Sequence, residues 1–147
     1  MRTLLRLTER SSTQSLGSVR QGTAADAAAH WDMLEQIVEH DSGRLTAADL
    51  VAEVATGRRQ VWLAPKAICI TEIIDYPRCR SCRIAVAGIG AQAVVRTAAT
   101  FLERWARSQG CRKLEFVGRL GWLRAGGQWR AALAEFRPMA AIMEKDL

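Results

Sequence analysis

The chain has 147 residues, a net charge of +6, 49% apolar and 24% charged residues, which is enough hydrophobic surface for one core and too little for two. That balance excludes global disorder, and no run approaches the roughly 20 consecutive apolar residues needed to cross a bilayer. The positive charge is almost wholly arginine, with lysine only at Lys66, Lys113 and Lys145, and it favours acidic partners, including nucleic acid and phosphorylated cofactors.

Residues 1–15 are basic and hydroxyl-rich, a pattern shared by transit peptides and by flexible N-terminal arms, and the arm is the reading taken here. A domain is expected over 16–147, opening with a short strand, Leu16 to Arg20. Thr23 and Asp26 have the spacing of a capping box, and Ala27, Trp31, Leu34 and Val38 recur at helical spacing, so one helix is expected from there to about His40, with that stripe inward. A second capping box at Thr46 and Asp49, with Leu45 placed to staple onto Leu50, opens a helix ending at Gly57.

The pattern then becomes β-branched and alternating. Strands are expected over Gln60 to Ala64, Ala67 to Ile74 and Arg80 to Ile89, as an antiparallel meander whose last turn is Asp75-Tyr76-Pro77-Arg78. Val94, Ala98, Phe101, Leu102 and Trp105 mark one long amphipathic helix ending at Gly110. A strand from Lys113 to Val117, a helix carrying Trp122, Trp129, Leu133 and Phe136 and interrupted near Gly126-Gly127, and a strand from Met139 to Met143 complete the chain. The fold class is therefore α/β (α+β): a mixed, mostly antiparallel sheet flanked by helices.

Three phrases, together with this element order, carry a family resemblance: Val19-Arg20-Gln21-Gly22-Thr23-Ala24-Ala25-Asp26, Phe101 to Cys111, and Glu135-Phe136 through Lys145-Asp146-Leu147. They resemble the GNAT superfamily of acetyl-CoA-dependent N-acetyltransferases. The resemblance implies a GNAT-like domain in which Gly88, Ile89, Gly90, Ala91 and Gln92 would hold the cofactor pyrophosphate, because free amides at a helix start solvate phosphate. The alternative reading of Gly88 and Gly90 is that they end a strand and admit close packing of the next helix. Family enzymes usually carry Gln or Arg three residues before the first loop glycine, where this chain has Ala85. Many also use a tyrosine after the penultimate strand as proton donor, whereas the only tyrosine here, Tyr76, falls in the hairpin turn. Glu72 is the candidate catalytic base if it faces inward, and an exposed strand carboxylate otherwise.

Within that superfamily the phrase Thr71-Glu72-Ile73-Ile74-Asp75-Tyr76-Pro77-Arg78, with Gly121-Trp122, is similar to small GNAT-like proteins of tailed bacteriophages. This implies a non-catalytic virion or assembly protein with no cofactor, located in the virion or host cytoplasm. It would dock on phage virion proteins through the N-terminal arm and the 67–89 hairpin. The alternative is an acetyl-CoA-dependent N-acetyltransferase acting on a small amine or a protein amino group.

Other constellations point less far. The four cysteines, Cys69, Cys79, Cys82 and Cys111, are too sparse for a disulfide scaffold and suggest a reducing compartment. Cys79 and Cys82 have the spacing of a metal or redox pair, but on a regular strand they face opposite ways. His30 and His40 have no nucleophile pattern beside them. Arg78, Arg80, Arg83, Arg104, Arg107, Arg112 and Lys113 form either a solvated rim or a nucleic-acid surface. The tryptophans read as core, with Trp62 and Trp129 the two most open to exposure.

Overall fold

A computed structural model of the chain describes residues 19–39, 41, 43–97, 101–119, 122, 128–139 and 143–147. The N-terminal arm, His40, the Gly126-Gly127 interruption and most of the expected closing strand fall outside these residues. The described strands are β1 (Arg20–Gln21), β2 (Arg59–Ala64), β3 (Ala67–Tyr76), β4 (Cys79–Ala87) and β5 (Lys113–Phe116). They form one sheet in chain order, antiparallel except for the parallel β4–β5 pair.

Three helices, α1 (Ala24–Ala29), α2 (Trp31–Val38) and α3 (Ala47–Ala55), lie between β1 and β2. Both capping boxes form: Thr23 with Asp26 opens α1, and Thr46 with Asp49 opens α3. Leu45 and Leu50 pack in one cluster, and Gly57 ends α3 in the left-handed region at φ 80°. The single helix expected over 23–40 is instead broken at His30. Its ring Nδ1 lies 2.8 Å from the Asp26 carbonyl, which a continuing helix would bond through the His30 amide, while that amide bonds the Ala27 carbonyl. The break resets the phase of Ala27 relative to the stripe that follows. Leu34 is fully buried, but Trp31, expected inward, is 41% exposed in the first turn of α2 and donates to Glu35.

Alternation in the strands separates two cores. Val61, Leu63, Ile68 and Ile70 point to one face and pack with Ala27, Leu34, Ala47 and Leu50 of α1–α3. Trp62, Cys69, Cys82, Ile84 and Val86 point to the other. There they meet α4 (Ala91–Thr97), α5 (Leu102–Ser108) and α6 (Gln128–Ala132), through residues such as Val94, Leu102, Ala106 and, just past α6, Leu133. Trp62, one of the two tryptophans most open to exposure, is buried, with its ring edge-on to Trp105 at 5.0 Å between centroids. Its Nε1 donates to the Thr71 hydroxyl, which donates in turn to Gln60. Trp129 is half-buried and stacks on Trp122 at 4.0 Å.

Candidate functional site

The parallel β4–β5 pair is where the sheet opens. Its register runs from Ser81 opposite Lys113 to Ile84 opposite Phe116, and the Val117 amide adds a last bond to the Ile84 carbonyl. β4 continues through Ala85, Val86 and Ala87 without β5 partners among the described residues, then turns through Gly88-Ile89-Gly90 into α4. Among the described residues, one edge of β4 is thus left unpaired beside a glycine loop.

The loop lies against the β2–β3 turn at Pro65–Lys66. Gly88 sits at φ 101°, and a Cβ there would approach the Ala67 Cα to 2.8 Å and clash with the Lys66 carbonyl oxygen. A Cβ at Gly90 would clash with the Pro65 carbonyl. Both positions therefore need glycine for backbone-on-backbone contact, whatever else the loop does. The Gly90 amide donates to Lys66 O at 3.0 Å and the Ala91 amide to Gly88 O at 3.2 Å. The amides of Ile89 and Gln92 have no partner among the described residues, and Ile89 projects at 92% exposure. A pyrophosphate at this loop would thus meet the Gly90 and Ala91 amides already bonded and those of Ile89 and Gln92 open. Ala85, on the face packed by α1–α3, adds no side-chain donor.

Glu72 is half-buried on the α1–α3 face. Arg59 reaches it at 3.3 Å and also bonds Glu53, so the carboxylate is already paired. A second polar cluster on that face escaped the sequence reading. Arg83 Nε donates to Glu115 at 3.0 Å across β4–β5, one pair before the last one in register, and Arg83 Nη2 donates to the Tyr76 hydroxyl at 3.3 Å. Burial pushes the Glu115 carboxyl upward, but hydrogen bonds from Tyr76, Arg83 and Ser81 outweigh it and hold the group below the usual carboxylate range. The same bond to Glu115, aided by burial, raises the Tyr76 phenol. Tyr76 is the last residue of β3, and its side chain joins a site built from three strands. The sequence carried no local sign of this, because β5 alignment decides which residues meet.

The cysteines are all free thiols. β4 is regular through Cys79 and Cys82, so their side chains diverge, and burial pushes the Cys82 thiol up to about 12. His30 is taken up in the helix break.

No protein-family model and no curated protein matches the chain. Solved structures do. Glucosamine-6-phosphate N-acetyltransferase from Arabidopsis thaliana superimposes with a TM-score of 0.58 at 15% identity, covering 87% of this chain and 96% of that one. A transcriptional regulator from Bacillus halodurans C-125 gives 0.57 at 12% identity, covering 88% and 98%. A possible acetyltransferase from Clostridium difficile 630 gives 0.57 at 10% identity, covering 88% and 96%. Nothing in these matches links the chain to phage virion proteins. At such identities the likeness is one of fold, and the chain has the GNAT acetyltransferase fold, a mixed five-stranded sheet flanked by helices.

Proposed function

We propose that the chain is an acetyl-CoA-dependent N-acetyltransferase acting on a small amine or a protein amino group. The observation that carries this reading is the opening between β4 and β5 beside the Gly88–Gly90 loop, in a fold whose solved neighbours include an N-acetyltransferase. Fold alone assigns no activity, so the argument rests on what the opening offers. The unpaired β4 edge at Ala85–Ala87 presents backbone donors and acceptors to an extended, amide-bearing arm, in the manner of an added strand. The Ile89 and Gln92 amides would be the donors left for its phosphates. Acetyl-CoA, when bound, supplies an acyl group activated as a thioester.

The remaining chemistry belongs to the protein. Glu115 is paired with Arg83 as Glu72 is with Arg59, but it is the more exposed of the two carboxylates and lies one residue before the strands part, so it can share its charge with the ammonium group of an acceptor approaching from the α1–α3 face. Tyr76 and Arg83 fix its orientation. Glu72, locked to Arg59, serves the sheet and not the acceptor. The phage assembly role inferred from the sequence gains no comparable support.

Incubating the whole chain with acetyl-CoA and a panel of a polyamine, an amino sugar and a lysine peptide tests the reading through release of free thiol. Amine-dependent release is expected, and Glu115→Gln should lower it about 10- to 100-fold, the worth of a hydrogen bond to a charged group. Thiol release that is independent of any amine, or none at all, would refute it.

A further inference from the structure

The sequence holds two basic stretches about 25 residues apart, and the fold brings them to one end of the sheet. Arg80 is the second residue of β4, just after the Pro77–Arg78 turn, and its Nη1 donates to the Gln109 carbonyl at 2.9 Å, at the C-terminal end of α5. The Arg112 amide bonds the Arg80 carbonyl at 2.9 Å, and Lys113 opens β5 opposite Ser81. Arg78, Arg80, Arg112 and Lys113 are all exposed at this end. Arg78, Arg112 and Lys113 have no ion-pair partner among the described residues, while Arg80 is paired with Asp75. Over residues 75–83 and 103–115 there are seven basic side chains against three acidic ones, in a chain of net charge +6. Much of the excess positive charge is therefore gathered where β3–β4 and α5–β5 meet, at the opposite end of β4 from the glycine loop.

We infer that this end is a docking surface for the phosphate backbone of duplex DNA, bound without regard to sequence. Three observations select that partner. The patch is arginine-rich, and guanidinium matches phosphate in a bidentate fork. The Arg112 amide bonds the Arg80 carbonyl and Lys113 pairs with Ser81, so the cations of the two segments start from neighbouring backbone positions at one end of the sheet, which suits the closely spaced phosphates of a duplex. Among the described residues Tyr76 is the one exposed aromatic beside the turn, fewer than the series of rings on which successive bases of a single strand stack. The inference is independent of the acetyltransferase reading.

The test is fluorescence anisotropy of the full chain with a labelled 20-base-pair duplex of arbitrary sequence, titrated at several salt concentrations. With three unpaired cations on phosphates, log K against log salt should fall with a slope of about −2.7, or about 40-fold weaker binding between 50 and 200 mM salt. Each of Arg78→Ala, Arg112→Ala and Lys113→Ala should make the slope shallower by about 0.9, and the triple variant should remove it. Arg20→Ala, on the far edge strand, should leave it unchanged. Unaltered thermal melting of the variants confirms that folding is not the cause. Absence of binding at 50 mM salt, a slope that survives the triple variant, or equal or tighter binding of a single-stranded oligonucleotide or of polyglutamate would each overturn the proposal.

Discussion

The two ends of the β3–β4 hairpin are built on opposite principles. At the Gly88 end, backbone presses on backbone, and the Pro65 and Lys66 carbonyls leave no room for a side chain on either loop glycine. At the Pro77–Arg78 end, Arg78, Arg112 and Lys113 are exposed, and Arg80 ties the hairpin to the end of α5 through polar bonds to Gln109 and to the Arg112 amide. The difference teaches where rigidity is placed. The tight end can hold a loop in one conformation for a ligand, and the open end can meet a partner without disturbing the core.

The largest effect that would sharpen this contrast is at Gly88. Gly88→Ala puts a side chain at φ 101° against the β2–β3 turn and should cost about 3 kcal/mol or more, read from the chemical denaturation midpoint. A loss below about 1 kcal/mol would mean that the tight end is loose. Between the two ends, Thr71→Val removes the acceptor of the buried Trp62 Nε1 and should cost about 1–3 kcal/mol by the same measurement.

Next comes acidity. The folded Glu115 carboxyl is depressed, so its contribution is present above the unfolded carboxylate value and is lost as pH falls through the folded one. Wild type and Glu115→Gln should therefore differ in stability near neutrality and converge below about pH 4, and a gap constant with pH would break the assignment. The smallest effect belongs to the open end. Arg107→Ala removes an exposed pair with Glu103 and should change stability by no more than about 0.5 kcal/mol.

The sequence was most informative where the physics is local. Thr23 with Asp26, Thr46 with Asp49 and the Gly57 cap are set by neighbours within four residues, and each stands where its spacing put it, whereas the hairpin turn expected over Asp75 to Arg78 is tighter, because Asp75 and Tyr76 pair with Arg80 and Cys79 as the end of β3. The His30 break was hidden because no glycine or proline marks it; a ring nitrogen beside one carbonyl does the work. At the loop, the pair Gly88 and Gly90 was visible, but the carbonyls of Pro65 and Lys66 that require them come from another hairpin. The Tyr76–Arg83–Glu115 cluster depends on the parallel register of β4 and β5, a long-range pairing that no local pattern encodes.

The central claim, that the opening beside Gly88 receives acetyl-CoA, is tested most directly by thermal melting of the whole chain with and without millimolar acetyl-CoA. A ligand at 1,000 times its dissociation constant stabilises the folded state by about 4 kcal/mol, so the melting temperature should rise by several degrees. An unchanged melting temperature at millimolar acetyl-CoA would contradict the claim.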